Sequence, residues 1–512
     1  MIRWYDNNRK KEEAVIWSDD LSQEYRGPLP ADFEEASDLL REIWSNCGDT
    51  DFRQFRLNHT KVLIMWITSL IDKQLIQCGL LNRFTGWEDS YCDTEELLKS
   101  LTPTCQTIQT IEEINDAIGN GMAVVIIEGL EHGFSVDVMG LQERNVDKSD
   151  FEPGIIGPQA AFVESLDKNL GMIRRRLKNP RVKILNMELG TISKTNIAIL
   201  YIDGIGKYDY VEEMQERLQR IKMDGILSAN YISELIEDAP NSLFPTVQVT
   251  ERPDRVAFAL LEGRISVMVD GDPLALLAPT TFSSLMKVGE DYFQRSIVAS
   301  SVRLIRYASF WFALLTSPLF VAFLTFHQEL IPTVLLNNIL TTREGVPFPP
   351  LLEILLMEFS FEVLREAGIR LPRGIGQTVS IIGALVVGEA AVSAGLVSPL
   401  AVIVTALSGI ASFSTPNYFL GHSIRFLRFP FIIMAGLLGL FGIVIIFLML
   451  LTHLVSLRSF GVPYLSPIAP FHRKEMRDTL IRASWWNLNS RDKSFEPVDT
   501  MRGKNRRPRP PR

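Results

Sequence analysis

The chain has 512 residues, too many for one ordinary domain, and a formal net charge of −8 that gives no reason to expect nucleic acid as a partner. The only strongly basic stretch is the end, Arg502 to Arg512. A hydrophobic share of 46% and a mean hydropathy of +0.12 would suit a soluble enzyme, but the apolar residues are not spread evenly. They pile up after Leu304, whereas charged residues dominate the stretch before it and the end of the chain.

Residues 1–50 are polar and of mixed charge, with a short helix expected over Glu34 to Trp44. The amino terminus lacks an apolar core segment, so no cleaved signal peptide is expected and the first half is read as cytoplasmic. Cys47, Cys78, Cys92 and Cys105 form no CxxC pair and have no histidine at zinc-ligand spacing, so they are read as reduced thiols, with no metal and no cofactor.

An internal repeat follows. Gly121-Met-Ala-Val-Val-Ile-Ile-Glu-Gly129 matches Gly263-Arg-Ile-Ser-Val-Met-Val-Asp-Gly271: two glycines bracket an apolar run that ends in an acid. Each follows a helical stretch (Ile111 to Ile118, Arg255 to Leu261) and precedes a strand-like piece (Phe134 to Met139, Leu274 to Leu277). Upstream, the runs beginning at Val62 and Ile197 occupy corresponding places. Short apolar runs bounded by Gly and Asp read as buried strands, and their alternation with helices predicts an α/β region of two similar subdomains, 51–160 and 161–300. This region carries no Walker A loop, GxGxxG, HExxH or GxSxG motif. Asp203-Gly-Ile-Gly206 lacks the Lys and third Gly of a phosphate loop and reads as a strand-end turn. No catalytic residue is assigned, and the chain is read as not an enzyme.

Residues 301–456 read as an α-helical transmembrane bundle of four to five spans, with a tail over 457–512, cytoplasmic, disordered and basic at its end. Tyr307 to Phe326 is an uncharged run whose helical length of about 30 Å matches a bilayer. Phe429 to Leu454 is a longer and purer one. Between them, Thr378 to Val397 is apolar apart from Glu389, and Pro399 to Phe413 is shorter. Both are rich in small residues, among them Gly383, Gly388, Gly395 and Gly409, which let helix backbones approach closely. Four spans plus a re-entrant or surface segment would put both termini inside; five would put the basic tail outside and fit the charge distribution less well.

A further helix is expected over Leu351 to Gly368. Glu358, Glu362 and Glu366 recur every fourth residue and share a face, with Glu353 near it. Two readings stay open: a helix on the membrane surface with Arg365 paired to Glu362, or an acid-lined wall of an aqueous path that favours cations. Glu389 is a functional candidate because an acid within a span is costly.

Several segments together resemble the A subunit of GerA-type spore germination receptors: Glu251-Arg-Pro-Asp254, Asp291-Tyr-Phe-Gln-Arg295, Phe326-His-Gln-Glu329, Arg343-Glu-Gly-Val-Pro-Phe-Pro-Pro350, Leu364-Arg-Glu-Ala-Gly-Ile-Arg-Leu-Pro372, Ile375-Gly-Gln-Thr378, Phe359 with its flanking acids, Ser412-Phe413 before Pro416, and Ser459-Phe-Gly-Val-Pro-Tyr-Leu-Ser-Pro467. The resemblance runs from Ala160 to Ile481 and departs most before residue 110. It implies a nutrient germinant receptor in the spore inner membrane, working with a transporter-like B subunit and a lipoprotein C subunit. It also implies A subunits that oligomerise, as pentamers, around a ligand-gated cation pore. A paralogue group, the AF subunit of the SpoVA locus, which would aid dipicolinate or ion release, shares this architecture, and a non-conducting membrane scaffold is the alternative from another class. A transporter fits less well, since the spans are few and show no inverted repeat.

Overall fold

The computed structural model describes residues 27–57, 60–77, 105–140, 152, 154, 156–370, 388–473 and 475–503. Cys78, Cys92 and Gly383 lie outside the described residues; Cys47 is a free, buried thiol.

The repeat found in the sequence is a repeat of topology. The first unit runs α1 (Phe33–Ile43), β1 (Thr50–Leu57), β2 (Thr60–Ile67), β3 (Gln106–Ile108), α2 (Ile111–Gly119), β4 (Met122–Ile127) and β5 (Gly133–Asp137). The second runs α3 (Leu166–Arg176), β6 (Val182–Leu189), β7 (Thr195–Ile202), α4 (Tyr208–Gln219), α5 (Ala229–Ile236), β8 (Gln248–Thr250), α6 (Pro253–Leu261), β9 (Ile265–Val269) and β10 (Ala275–Ala278). Their sheets have orders β1-β2-β4-β5-β3 and β6-β7-β9-β10-β8, one pattern twice, with every pairing antiparallel.

The central strands are apolar throughout because both faces are covered. In β2, Leu63, Met65 and Ile67 join one core cluster while Val62, Ile64 and Trp66 join another. In β7, Ile197, Ile199 and Tyr201 face one way and Ala198, Leu200 and Ile202 the other. The glycine pairs that flagged the repeat sit at left-handed turns: Gly121 and Gly263 have φ of 83° and 88°, Gly129 and Gly271 of 90° and 87°. Asp203 to Gly206 is a strand-end turn, Gly206 N–H donating to Ile202 O at 3.2 Å. It lies so close to Gly263 that a Cβ on Gly206 would sit 3.0 Å from the Gly263 carbonyl.

The two units are welded at one edge. Gly48 N–H donates to Ile184 O at 2.7 Å, and Ile184 N–H to Asn46 O at 3.0 Å. Arg174 makes a bidentate pair with Asp49, 2.9 and 2.8 Å, with both side chains buried. Lys183 Nζ–H donates to the carbonyls of Ile43 and Ser45 at the end of α1.

Among the described residues, the helical half holds α7 (Ser296–Thr325), α8 (Thr333–Arg343), α9 (Pro350–Arg370), α10 (Pro399–Ser412) and α11 (Tyr418–Ser456), with a further stretch of helix over 388–393. Among the described residues, α7 and α11 are long and apolar enough to cross a membrane. The expectation of one span over Phe429 to Leu454 is corrected here, because α11 doubles back. Gly439 has φ 61° and ψ −141°, and beyond it Gly442 comes back against the carbonyl of Met434. Leu427 and Phe431 share a pocket with Ile446, Met449 and Leu450, and Ser423 and His453 hydrogen-bond to Leu243 O and Ser242 Oγ respectively. These pairings are symmetric about the bend, so α11 is a hairpin of two antiparallel arms. Nothing in an uncharged, apolar run distinguishes a span from a hairpin when the turn residue is a glycine among other glycines.

The tail closes back on the second unit. Ser459 Oγ–H donates to Thr246 O at 2.6 Å while accepting from Thr280 N–H at 2.8 Å, and Phe460 enters the core of the second sheet. Farther along, Val498 N–H donates to Ile205 O at 2.9 Å, and Arg491 Nε–H to Leu261 O at 2.8 Å. The described tail, 457–503, is thus part of the α/β half; residues 504–512 lie outside the described residues.

Candidate functional site in the helical half

The acid-bearing helix forms as its sequence suggests, with Pro350 opening α9, but its acids divide into two groups. Glu353 and Glu358 are 0% and 1% exposed. Glu353 accepts from Arg343 Nη1–H at 2.6 Å and from the Ser398 N–H at 2.5 Å, just ahead of α10. A carboxylate there meets the partial positive charge of a helix amino terminus. Glu358 accepts from Arg428 Nη1–H of α11 at 2.5 Å and from Ser317 Oγ–H of α7 at 2.6 Å. Arg428 Nη2–H reaches Ser408 O of α10 at 3.4 Å, and Ser408 Oγ–H donates to Ala313 O of α7 at 3.0 Å. One carboxylate and one guanidinium thus tie together α7, α9, α10 and α11. Removing one partner of a buried pair strands the other charge at a cost of about 3–5 kcal/mol, so this network fixes the arrangement of the bundle.

The other acids are more open. Glu362 pairs with Arg365 one turn on, Glu366 pairs with Arg370 at 2.6 Å, and Glu389 is exposed. Among the small residues, Gly409 is a contact point within the chain: a Cβ there would lie 2.6 Å from Phe361 Cζ, so α10 packs closely on α9. Gly388 is buried, 3.6 Å from Val402 Cγ1 on the same measure. Gly395 ends its helix in a left-handed conformation, φ 65°. Outward from these contacts, α10 exposes Ile403, Leu407, Ile410 and Phe413, an apolar face.

The base of α7 is held by a second ionic cluster. Asp291 accepts from Arg303 at 3.0 Å and from Arg306 at 3.1 Å through each of its oxygens, and Arg303 Nη1–H also donates to Asp478 O of the tail at 2.7 Å. Arg303, Arg306, Arg425 and Arg428, which stand at or just before the long apolar runs in the sequence, are all buried. Spacing alone does not reveal the partners, since Arg428 and Glu358 are 70 residues apart. The usable signal was chemical: an arginine bordering an apolar run implies an acid on another helix.

The family described as Bacillus/Clostridium GerA spore germination protein matches residues 38–494, and the chain belongs to that family. It is 38% identical over 508 residues to spore germination protein KA of Bacillus subtilis (strain 168), covering 98% of this chain and 92% of the relative. It is 39% identical over 459 residues to spore germination protein GerQA of Bacillus cereus, covering 89% and 91%. A third relative, the uncharacterized membrane protein YfkQ of Bacillus subtilis (strain 168), is 38% identical over 501 residues, 97% of this chain and 98% of that one. Among solved structures, the N-terminal domain of the A subunit of the Bacillus megaterium spore germinant receptor GerK3 is 29% identical, with a TM-score of 0.39, over 50% of this chain and 98% of that one.

Proposed function

We propose that this chain is the A-type membrane subunit of a nutrient germinant receptor in the spore inner membrane, working with a transporter-like B subunit and a lipoprotein C subunit. Its copies assemble, as a pentamer, into a ligand-gated cation channel. The observation that carries this reading is the division of acids on α9. Glu353 and Glu358 lock the bundle, which leaves Glu362, Glu366 and Glu389 as the acids able to face an ion path. The exposed apolar face of α10 is where a second copy would pack.

The tail folds onto the second α/β unit, which supports both lying on one side of the membrane with an even number of crossings. Cysteine labelling from each side of a sealed vesicle tests this, and a tail accessible from the side opposite the α/β half would refute it.

For conduction, the purified chain in a planar bilayer should pass monovalent cations, and Glu362→Gln with Glu366→Gln should lower cation selectivity. Unchanged conductance and selectivity in that double variant would remove the pore role of these acids. The alternative is a non-conducting scaffold, and a silent but oligomeric protein in the bilayer would decide for it.

A further inference from the structure

We propose that a cavity at the base of α7 binds a small organic monoanion with an apolar, ring-sized body. The cavity, of about 380 Å³, lies between α6, the turns that lead into α7, and the returning tail. Phe258, Tyr292, Phe293, Trp485 and Phe495 supply aromatic walls. A volume of that order, largely apolar with a few polar groups, is what small-molecule sites look like.

The charge of the ligand follows from the ion pairs. Four cations line the cavity, Arg176, Arg255, Arg264 and Lys287, against three acids, Asp254, Glu262 and Asp492. Two of the acids are claimed from outside the cavity lining: Asp254 by Arg252 at 2.9 Å and Glu262 by Arg502. Asp492 lies 3.5 Å from Lys287, and Arg255 pairs with Glu152. Arg176 and Arg264 remain. Their hydrogen bonds go to neutral acceptors, Met172 O for Arg176, and Pro279 O, Gln248 Oε1 and Thr280 Oγ1 for Arg264. Arg264 is buried, stacked 5.2 Å from the centre of the Phe495 ring, and no ion pair joins it to a carboxylate among the described residues. Burial, with Arg255 beside it, pushes its guanidinium down to about 9, and the Asp492 carboxylate opposes this only in part. A buried cation with no carboxylate in ion-pair contact is costly beside an apolar cavity, and an anion in that cavity offsets the cost.

The site also touches the bundle. Tyr292, a cavity wall, donates to Asp478 at 2.5 Å, and Asp478 accepts from Arg303 on α7 at 3.3 Å. A ligand against Tyr292 therefore bears on the residue that anchors the first membrane helix.

The test uses the purified full chain in lipid nanodiscs, titrated with benzoate, 3-phenylpropionate, indole-3-acetate and octanoate, each beside its neutral amide, with thermal stability and tryptophan fluorescence as readouts. At least one carboxylate should bind saturably, with its amide at least tenfold weaker. Val288→Phe, which fills the cavity, should abolish binding, and Arg264→Gln should bring carboxylate and amide within threefold of each other. Should Val288→Phe not fold, Leu261→Trp fills the cavity from its half-open rim. Binding by no carboxylate, equal binding of carboxylate and amide by the unmodified chain, or binding that survives the filling variant overturns the proposal.

Discussion

The two α/β units share one strand order and one pair of glycine turns, yet they stand in different relations to the rest of the chain. Among the described residues, the first is fastened to the second, through the Arg174–Asp49 pair, Lys183 and the short exchange of backbone hydrogen bonds around Gly48. The second is gripped on several sides: by the tail at Ser459 and Val498, by the hairpin of α11 through Leu243, and by the cluster around Asp291 that leads into α7. A duplicated fold has thus been specialised. One copy is peripheral, and the other is the base on which the long apolar helices stand.

That asymmetry can be broken from either end. Asp291→Ala strands two buried arginines, Arg303 and Arg306, and is expected to cost about 5 kcal/mol, toward the upper end for a broken buried pair. It should loosen the base of α7, so limited proteolysis of the chain in detergent should gain cleavage between the second unit and the bundle. Asp49→Ala strands only Arg174 and is expected to cost about 3 kcal/mol. Its new cleavage should fall between the two units, with the helical half as protected as before. If both variants opened the same site, the two junctions would not be separate.

The repeat was legible because its signature is local. A glycine with positive φ at each end of a buried strand is required by the backbone, so it recurs wherever the topology recurs. The helix over α9 was equally legible, and so was the Glu362–Arg365 pair one turn apart. What spacing could not convey was which acids are satisfied from elsewhere. A four-residue period puts Glu358, Glu362 and Glu366 on one face, but Arg428 comes from another helix and takes Glu358 out of that set. The bend at Gly439 is hidden for a similar reason: it depends on the packing of residues such as Leu427 against Leu450, and each of those is simply one more apolar residue in its run. The tail, polar and rich in proline, reads as a loose end until its partners on the second unit are seen.

A smaller difference between the units is expected to depend on pH. Glu237, just after α5 in the second unit, is pushed up to about 7 by burial, an effect that the N–H groups of Val247 and Thr246 only partly oppose. A carboxyl whose folded value is raised favours the folded state while protonated. Its contribution is therefore fully present below the ordinary carboxylate range, about 4.5, and is lost as the pH rises through about 7. With allowance for its partial exposure, the loss should be of order 2 kcal/mol. Melting temperatures measured from pH 4.5 to 8 should fall for the unmodified chain, and the fall should be shallower in Glu237→Gln, which should be the more stable of the two at pH 8. Parallel curves would remove Glu237 as the cause.

The smallest effect tests whether the units are still equivalent where nothing else touches them. Gly129 and Gly271 occupy matching turns, with φ of 90° and 87°, and a Cβ at either would meet nothing within 4 Å. Alanine at each position therefore carries only the strain of a left-handed backbone, about 1–2 kcal/mol, and no clash. Gly129→Ala and Gly271→Ala should lower stability equally, and the double variant should show the sum, since the sites share no partner. An unequal pair would mean that the clasp on the second unit reaches even this turn, and that the specialisation of the two copies extends through the whole sheet.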